Sequence, residues 1–204
     1  MNLPKLYLAS KSPRRKEILQ TLKIPFEYLE SPYEENLSDC ANLNPEDLVS
    51  RLACLKALHA SKTVSSGLVI GADTIVVQGG KILGKPKDRN DAKAILQSLS
   101  GKRHLVITGV AIFNAETKKS ISRSETTYVY FKELSEKDIE TYLDTSEPYD
   151  KAGAYGIQGH AGLFVERIEG CYFNVVGFPV AAFNKLMHFS GFDLNDYIKK
   201  GNLL

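Results

Sequence analysis

Cysteine is scarce in this chain: the three that occur, Cys40, Cys54 and Cys171, are odd in number, far apart and without a Cys-x-x-Cys pair. That pattern argues against a disulfide framework and a zinc site, and reads as reduced thiols. No apolar run approaches the roughly 18 residues of a membrane span. Met1-Asn2-Leu3-Pro4-Lys5 has no apolar signal core, so a cytoplasmic location is expected. An excess of one charge sign is also missing. The formal net charge is +2, and 26 basic residues are scattered among 24 acidic ones. This is not the footprint that holds a nucleic acid, and a small anionic ligand suits it better. Neither Gly-x-x-x-x-Gly-Lys-Ser/Thr nor Gly-x-Gly-x-x-Gly after a strand occurs, which argues against an ordinary P-loop ATPase and a dinucleotide enzyme. His59, His104, His160 and His188 show neither metal-ligand spacing nor a nucleophile-partner pattern, and read as structural or surface residues.

What is present is a mixed pattern of strands and helices. At 204 residues, with 43% apolar and 25% charged content, the chain can bury about 70% of its unfolded surface. One domain over residues 1–204 is expected, with two small lobes as the other arrangement. Leu6 to Ala9 reads as a strand running into a helix with Ser12 as N-cap and Pro13 as its first residue. That helix extends to about Leu22, and Ile24 to Leu29 alternates like a second strand. Asn44-Pro45-Glu46-Asp47 opens a helix through Leu48, Leu52, Leu55 and Leu58. Leu68 to Val77 reads as a strand that Gly79-Gly80 turns back into Lys81-Ile82-Leu83. Asp88 with Asp91, and Ser135 with Asp138, cap two further helices on either side of the strand pair His104 to Phe113 and Ser120 to Phe131. A strand from Leu163 to Ile168, a helix from Gly177-Phe178-Pro179 and a weakly structured tail from Gly191 complete the reading. The alternation predicts a three-layer α/β fold with a mixed β-sheet, not a bundle or sandwich.

Several polar groups stand out against this frame. The stretch Ser10-Lys11-Ser12-Pro13-Arg14-Arg15 places two hydroxyls, two guanidinium groups and the unpaired N–H groups of a helix start in one spot. First-turn N–H groups, the helix dipole and planar guanidinium forks all favour a phosphate. The same string also suits an ordinary helix start whose arginines are solvated. Arg15 is expected to matter for activity and not for folding. Asp73 interrupts an apolar strand, so its carboxylate must be solvated at a cleft, paired, or metal-bound. Glu34 and Glu35 lie on a polar stretch; they are either solvated or ligands for a hard divalent cation such as Mg²⁺, which needs only one or two carboxylates besides water and phosphates. Lys56 and Lys85 are surface lysines unless a phosphate lies beside them, where they become charge clamps. Gly153, Gly156, Gly159 and Gly162 crowd the stretch Lys151 to Gly162, which suggests backbone lying close against another group.

Leu8-Ala9-Ser10-Lys11-Ser12-Pro13-Arg14-Arg15, Glu34-Glu35, Leu52-Ala53 with Lys56-Ala57, Gly71-Ala72-Asp73-Thr74, Gly84-Lys85-Pro86 and Asp150-Lys151-Ala152-Gly153-Ala154-Tyr155-Gly156-Ile157-Gln158-Gly159 together resemble the Maf family, in that order and over nearly the whole chain. The resemblance implies a fold related to the inosine-triphosphate pyrophosphatases, with an elongated sheet whose two lobes enclose a nucleotide cleft. It implies hydrolysis of nucleoside triphosphates to monophosphate and pyrophosphate with a divalent metal cation, Mg²⁺ or Mn²⁺. Asp73 would be the proton acceptor, and Arg14, Thr74 and Gln158 the residues that distinguish substrates. Ser10, Ser12, Arg15, Lys56, Lys85 and Lys151 would line the phosphates, with Glu34, Glu35 and Asp73 at the metal. Cys171 and Phe178 depart mildly from the family pattern.

The chemistry is consistent with those roles. Water must attack phosphorus at the α/β junction of a highly anionic chain, so cations have to neutralise the oxygens and a carboxylate has to orient and deprotonate the water. A glutamine amide offers one donor and one acceptor, complementary to the N3–H and O4 of uracil or thymine. Asp-Lys-Ala-Gly-Ala-Tyr-Gly-Ile-Gln-Gly with Thr after the aspartate resembles the dTTP and UTP branch. The other readings are the branch acting on N7-methyl-GTP and a nucleotide-binding regulator of septum formation without turnover. No membrane or nucleic acid partner is expected, and monomer and homodimer both stay open.

Overall fold

A computed structural model describes residues 3–33 and 43–201. Strand β1, Leu6–Ala9, runs through Ser10 and Lys11 into helix α1, Pro13–Thr21, where Pro13 occupies the first turn. Strand β2 is only Glu27–Tyr28. It is shorter than the Ile24 to Leu29 alternation predicts, because Tyr7 and Leu8 alone pair with it in register and Pro25 has no N–H to offer a ladder. Helix α2, Pro45–Ser61, starts at Asn44, whose side chain accepts a hydrogen bond from Asp47 N at 2.8 Å. Strand β3, Leu68–Gln78, and strand β4, Lys81–Leu83, make the expected hairpin. Its turn glycines, Gly79 and Gly80, adopt φ of 55° and 78°, the left-handed geometry that matches strand twist in a two-residue turn.

Helix α3 is Arg89–Leu99, strand β5 Arg103–Asn114, strand β6 Ser120–Phe131 and helix α4 Glu136–Leu143. Asp88 caps α3, and Ser135 and Asp138 cap α4 reciprocally. Strand β7, Val165–Glu169, precedes helices α5, Tyr172–Val176, α6, Val180–Phe189, and α7, Leu194–Gly201. The tail is therefore helical where weak structure was expected. Leu194 and Tyr197 of α7 are buried, and Tyr197 Oη donates to Pro4 O at 3.1 Å. Leu194, Tyr197 and Ile198 stand at i, i+3 and i+4, a helical period that the reading of a weakly structured tail passed over.

The sheet is seven-stranded and mixed, in the order β2-β1-β3-β5-β6-β7 with β4 on β3. Strand β1 is parallel to β2 and β3, whereas β4 on β3 and β7 on β6 are antiparallel. The α/β class is thus the one expected. The chain divides into two compact units: Met1–Asp73 with Thr108–Glu125 and Gly177–Leu204, and Thr74–Ile107 with Thr126–Val176. In the first, Tyr7, Ala9, Ala57, Ala60, Val69 and Phe113 pack together. In the second, α3 and α4 bury Leu96, Leu99, Tyr142 and Leu143 with Val129, Phe131 and Phe164. Edge-to-face ring pairs lock that second core, with Phe131 and Tyr155 centroids 4.8 Å apart and Tyr142 and Phe164 5.2 Å apart.

Candidate active site

The first unit builds an anion cradle at the carboxyl end of β1. The parallel register Leu8↔Ile70 and Ala9↔Gly71 ends there, so β3 continues past β1 as Ala72 and Asp73 beside Ser10. Carboxyl ends of parallel strands are where open α/β sheets place their ligands. Ser12 sits at the N-cap of α1 without a side-chain capping bond. Ser10 is buried, and its Oγ accepts from Ser12 N at 3.3 Å and from Arg15 Nη1 at 3.0 Å. With both lone pairs used, its O–H proton is the part left to donate.

Arg15 does more than the solvated-helix reading allows. Its Nε donates to Gly177 O at 2.8 Å, and its Nη1 donates to Ala72 O at 2.9 Å as well as to Ser10. The guanidinium therefore fastens the start of α1 to the residue preceding Asp73. Those bonds argue against the expectation that folding is indifferent to Arg15. Arg14, next to it in the first turn of α1, is half-buried.

Asp73 is 7% exposed, and its Oδ1 accepts from Lys56 Nζ at 2.5 Å. Of the three fates open to a carboxylate at that position, the structure shows pairing. The pair exists because α2 lies directly on β3. At Gly71 an added Cβ would stand 2.1 Å from Ala53 O and 2.9 Å from Ala57 N, so only glycine admits the helix at the depth from which Lys56 reaches Asp73. Lys56 is fixed from its other side too, as its carbonyl accepts from Ser31 Oγ at 3.0 Å. A groove at the opposite end of β1, lined by Leu3, Pro4, Pro25, Phe26 and Tyr197, holds only the exposed Lys5–Glu27 ion pair as charge. It is separate from this chemistry.

In the second unit Thr74 follows Asp73 in β3 and is half-buried. Gly153 N donates to Gly84 O at 3.0 Å, which brings the segments of Lys85 and Lys151 side by side. Gly153 has φ of 71°, and a Cβ on it would lie 2.9 Å from a methyl of Val76; the glycine crowding thus marks backbone pressed onto β3. Lys85 is exposed, with no ion pair among the described residues. Lys151 is engaged inside its own loop: Nζ donates to Glu147 O at 2.7 Å and to Asp150 Oδ1 at 2.5 Å, and its stem lies over Gly156. Gln158 is exposed, and its amide has no hydrogen-bond partner among the described residues.

One participant had no sequence signal. Glu147, ahead of Pro148, accepts through Oε1 from His160 N at 3.2 Å and from His160 Nδ1 at 2.8 Å. Burial pushes its carboxyl up, and the two bonds from His160 with the charge of Lys151 outweigh that, leaving it below the ordinary range. Behind the loop, buried His104 Nε2 pairs with Tyr155 Oη at 2.7 Å. Burial drives the His104 pKa down to about 4 and the Tyr155 hydroxyl upward, so both are neutral at pH 7.

Glu34 and Glu35, expected at a metal, lie outside the described residues, as does Cys40. Among the described residues no three His, Cys, Asp or Glu side chains cluster as metal ligands. Asp73 contributes one hard oxygen donor group, which suits a cation that takes few protein ligands and completes its shell with water and phosphate.

Comparison with known proteins gives this arrangement a family. The sequence model described as Maf-like protein matches residues 5–189. A protein of Alkaliphilus oremlandii (strain OhILAs) named dTTP/UTP pyrophosphatase is 48% identical over 194 residues, covering 95% of this chain and 99% of that protein. One of the same name from Bacillus cytotoxicus is 49% identical over 179 residues, 88% of this chain and 92% of its own length. A third, from Caldanaerobacter subterraneus, is 49% identical over 183 residues, 89% and 86% of the two chains. The residues that build the cradle and the Lys56–Asp73 pair fall inside the matched region, and the chain belongs to the Maf family.

Proposed function

We propose that this protein hydrolyses UTP and dTTP to the monophosphate and pyrophosphate. The observation that carries the reading is the buried Lys56–Asp73 pair, one residue past the carbonyl that Arg15 ties to an uncapped helix start. A carboxylate so held is oriented, and a water beside it has a proton acceptor with a fixed lone-pair direction. The first-turn N–H groups of α1, the Ser10 hydroxyl, Ser12, Arg14 and Arg15 offer the developing phosphate charge pre-set donors, the arrangement on which phosphoryl transfer depends most. Lys85 and Lys151 add cations, Lys151 by exchanging Asp150 for a phosphate oxygen. The family resemblance gives Gln158 to the base, with Thr74 and Arg14 sharing in substrate choice. Relatives named for dTTP and UTP support the pyrimidine.

A divalent cation, Mg²⁺ or Mn²⁺, would be held by Asp73 with Glu34 and Glu35. When bound it neutralises phosphate oxygens and lowers the barrier to attack. The reading is tested by product analysis over a panel of nucleoside triphosphates with either cation. UMP and dTMP with pyrophosphate are expected. Nucleoside diphosphate with orthophosphate would overturn the cleavage position, activity confined to N7-methyl-GTP would overturn the base, and binding of UTP without product would favour the regulator.

A further inference from the structure

We infer that Glu147 is a positioning residue for base selection, acting through the loop that carries Gln158. The inference rests on the reading of Gln158 as the base contact and adds what holds that contact in place. Gln158 has no hydrogen bond of its own among the described residues, and glycines stand at 156, 159 and 162. Such a segment has wide conformational freedom unless something fixes it, and a specificity contact in motion is a poor one. Glu147 supplies the fixing at both ends. Its carbonyl takes the Lys151 ammonium at 2.7 Å, and its Oε1 takes both the backbone N–H and the Nδ1–H of His160 at 3.2 and 2.8 Å. One residue thus closes the run from Lys151 to His160, with Gln158 two positions before the second tie.

The packing points the same way. A Cβ on Gly159 would stand 2.1 Å from Glu147 Oε2 and 2.5 Å from Oε1. The carboxylate therefore lies flat against the backbone of the residue after Gln158. The Glu147 side chain is 24% exposed while that of His160 is 70% exposed, so the acid is the anchored member and the histidine is drawn to it. This contact holds the peptide between Gly159 and His160, and so restrains the backbone on the C-terminal side of Gln158. Glu147 touches no substrate atom in this scheme; it acts through Gln158.

The test is a double-mutant cycle of Glu147→Ala and Gln158→Ala, read as the ratio of kcat/KM for UTP to that for GTP. Each single change is expected to lower the ratio by about tenfold, chiefly through the KM for UTP, and the double variant should match Gln158→Ala alone within about twofold. Glu147→Gln, which keeps an acceptor for His160 N, should fall between wild type and Glu147→Ala. It carries the test if the alanine variant does not fold. A ratio unchanged in both Glu147 variants, or losses that multiply in the double variant, would overturn the proposal while leaving Gln158 as the base contact. If Gln158→Ala itself left the ratio unchanged, the reading of Gln158 would fall and the proposal with it, a result distinct from the first.

Discussion

A guanidinium that donates to two main-chain carbonyls and a hydroxyl serves the fold and the site at once, and Arg15 is in that position. Arg15→Ala leaves Ala72 O and Gly177 O without that donor, at about 1 to 3 kcal/mol for groups cut off from water. Thermal unfolding should therefore show a lowered midpoint beside the loss of activity. An unchanged midpoint with a hundredfold activity loss would return Arg15 to a purely phosphate-binding role. His104 gives a second test at this scale. Its folded pKa, about 4, lies below the 6.5 of an unfolded histidine, so the unfolded chain takes up the proton first. Stability is then fully present above pH 6.5 and declines toward pH 4, by up to about 3 kcal/mol. Urea unfolding of wild type and His104→Gln at pH 7 and pH 4.5 should show a steeper decline in wild type. Parallel declines would mean that His104 is not held neutral by burial.

Helices and strands were legible where the local signals were complete. Asn44, Asp88 and Ser135 all cap the helices they were expected to cap, and Gly79-Gly80 turns the hairpin. Length failed where pairing decides it, since β2 is cut to Glu27–Tyr28 by what β1 can offer, whereas the Leu194, Tyr197, Ile198 spacing of α7 was there to be read. The candidate site was legible as residue types, since Ser10 meets Arg15 and Lys56 meets Asp73. Their partners were not, because the bond from Arg15 to Gly177 spans 162 positions and Glu147 has no periodic or motif context. Gly71 links the two levels. Gly71→Ala puts a Cβ 2.1 Å from Ala53 O, and backbone cannot yield there without moving α2. The variant should lose about 1 to 3 kcal/mol of stability. It should also lose at least about tenfold in UTP turnover, since Lys56 is drawn from Asp73. Retained activity in a destabilised protein would separate the helix seat from the chemistry.

For the molecule as a whole, Maf membership, an α/β mixed sheet and a buried, paired carboxylate of β3 just past the end of β1 support the proposed hydrolysis of a nucleoside triphosphate. The family resemblance reached further than the residue pattern did, since only the resemblance gives Gln158 a part in base choice. The central claim is that Asp73 acts on the attacking water while the cationic cradle binds the phosphates. Asp73→Asn keeps the outline of the side chain and removes its charge. The direct measurement is pyrophosphate release from UTP by wild type and by Asp73→Asn, with UTP affinity determined for both. The account predicts turnover lower by about a hundred- to ten-thousandfold in the variant, with affinity within a few-fold of wild type. Undiminished turnover would make Asp73 structural and contradict the account.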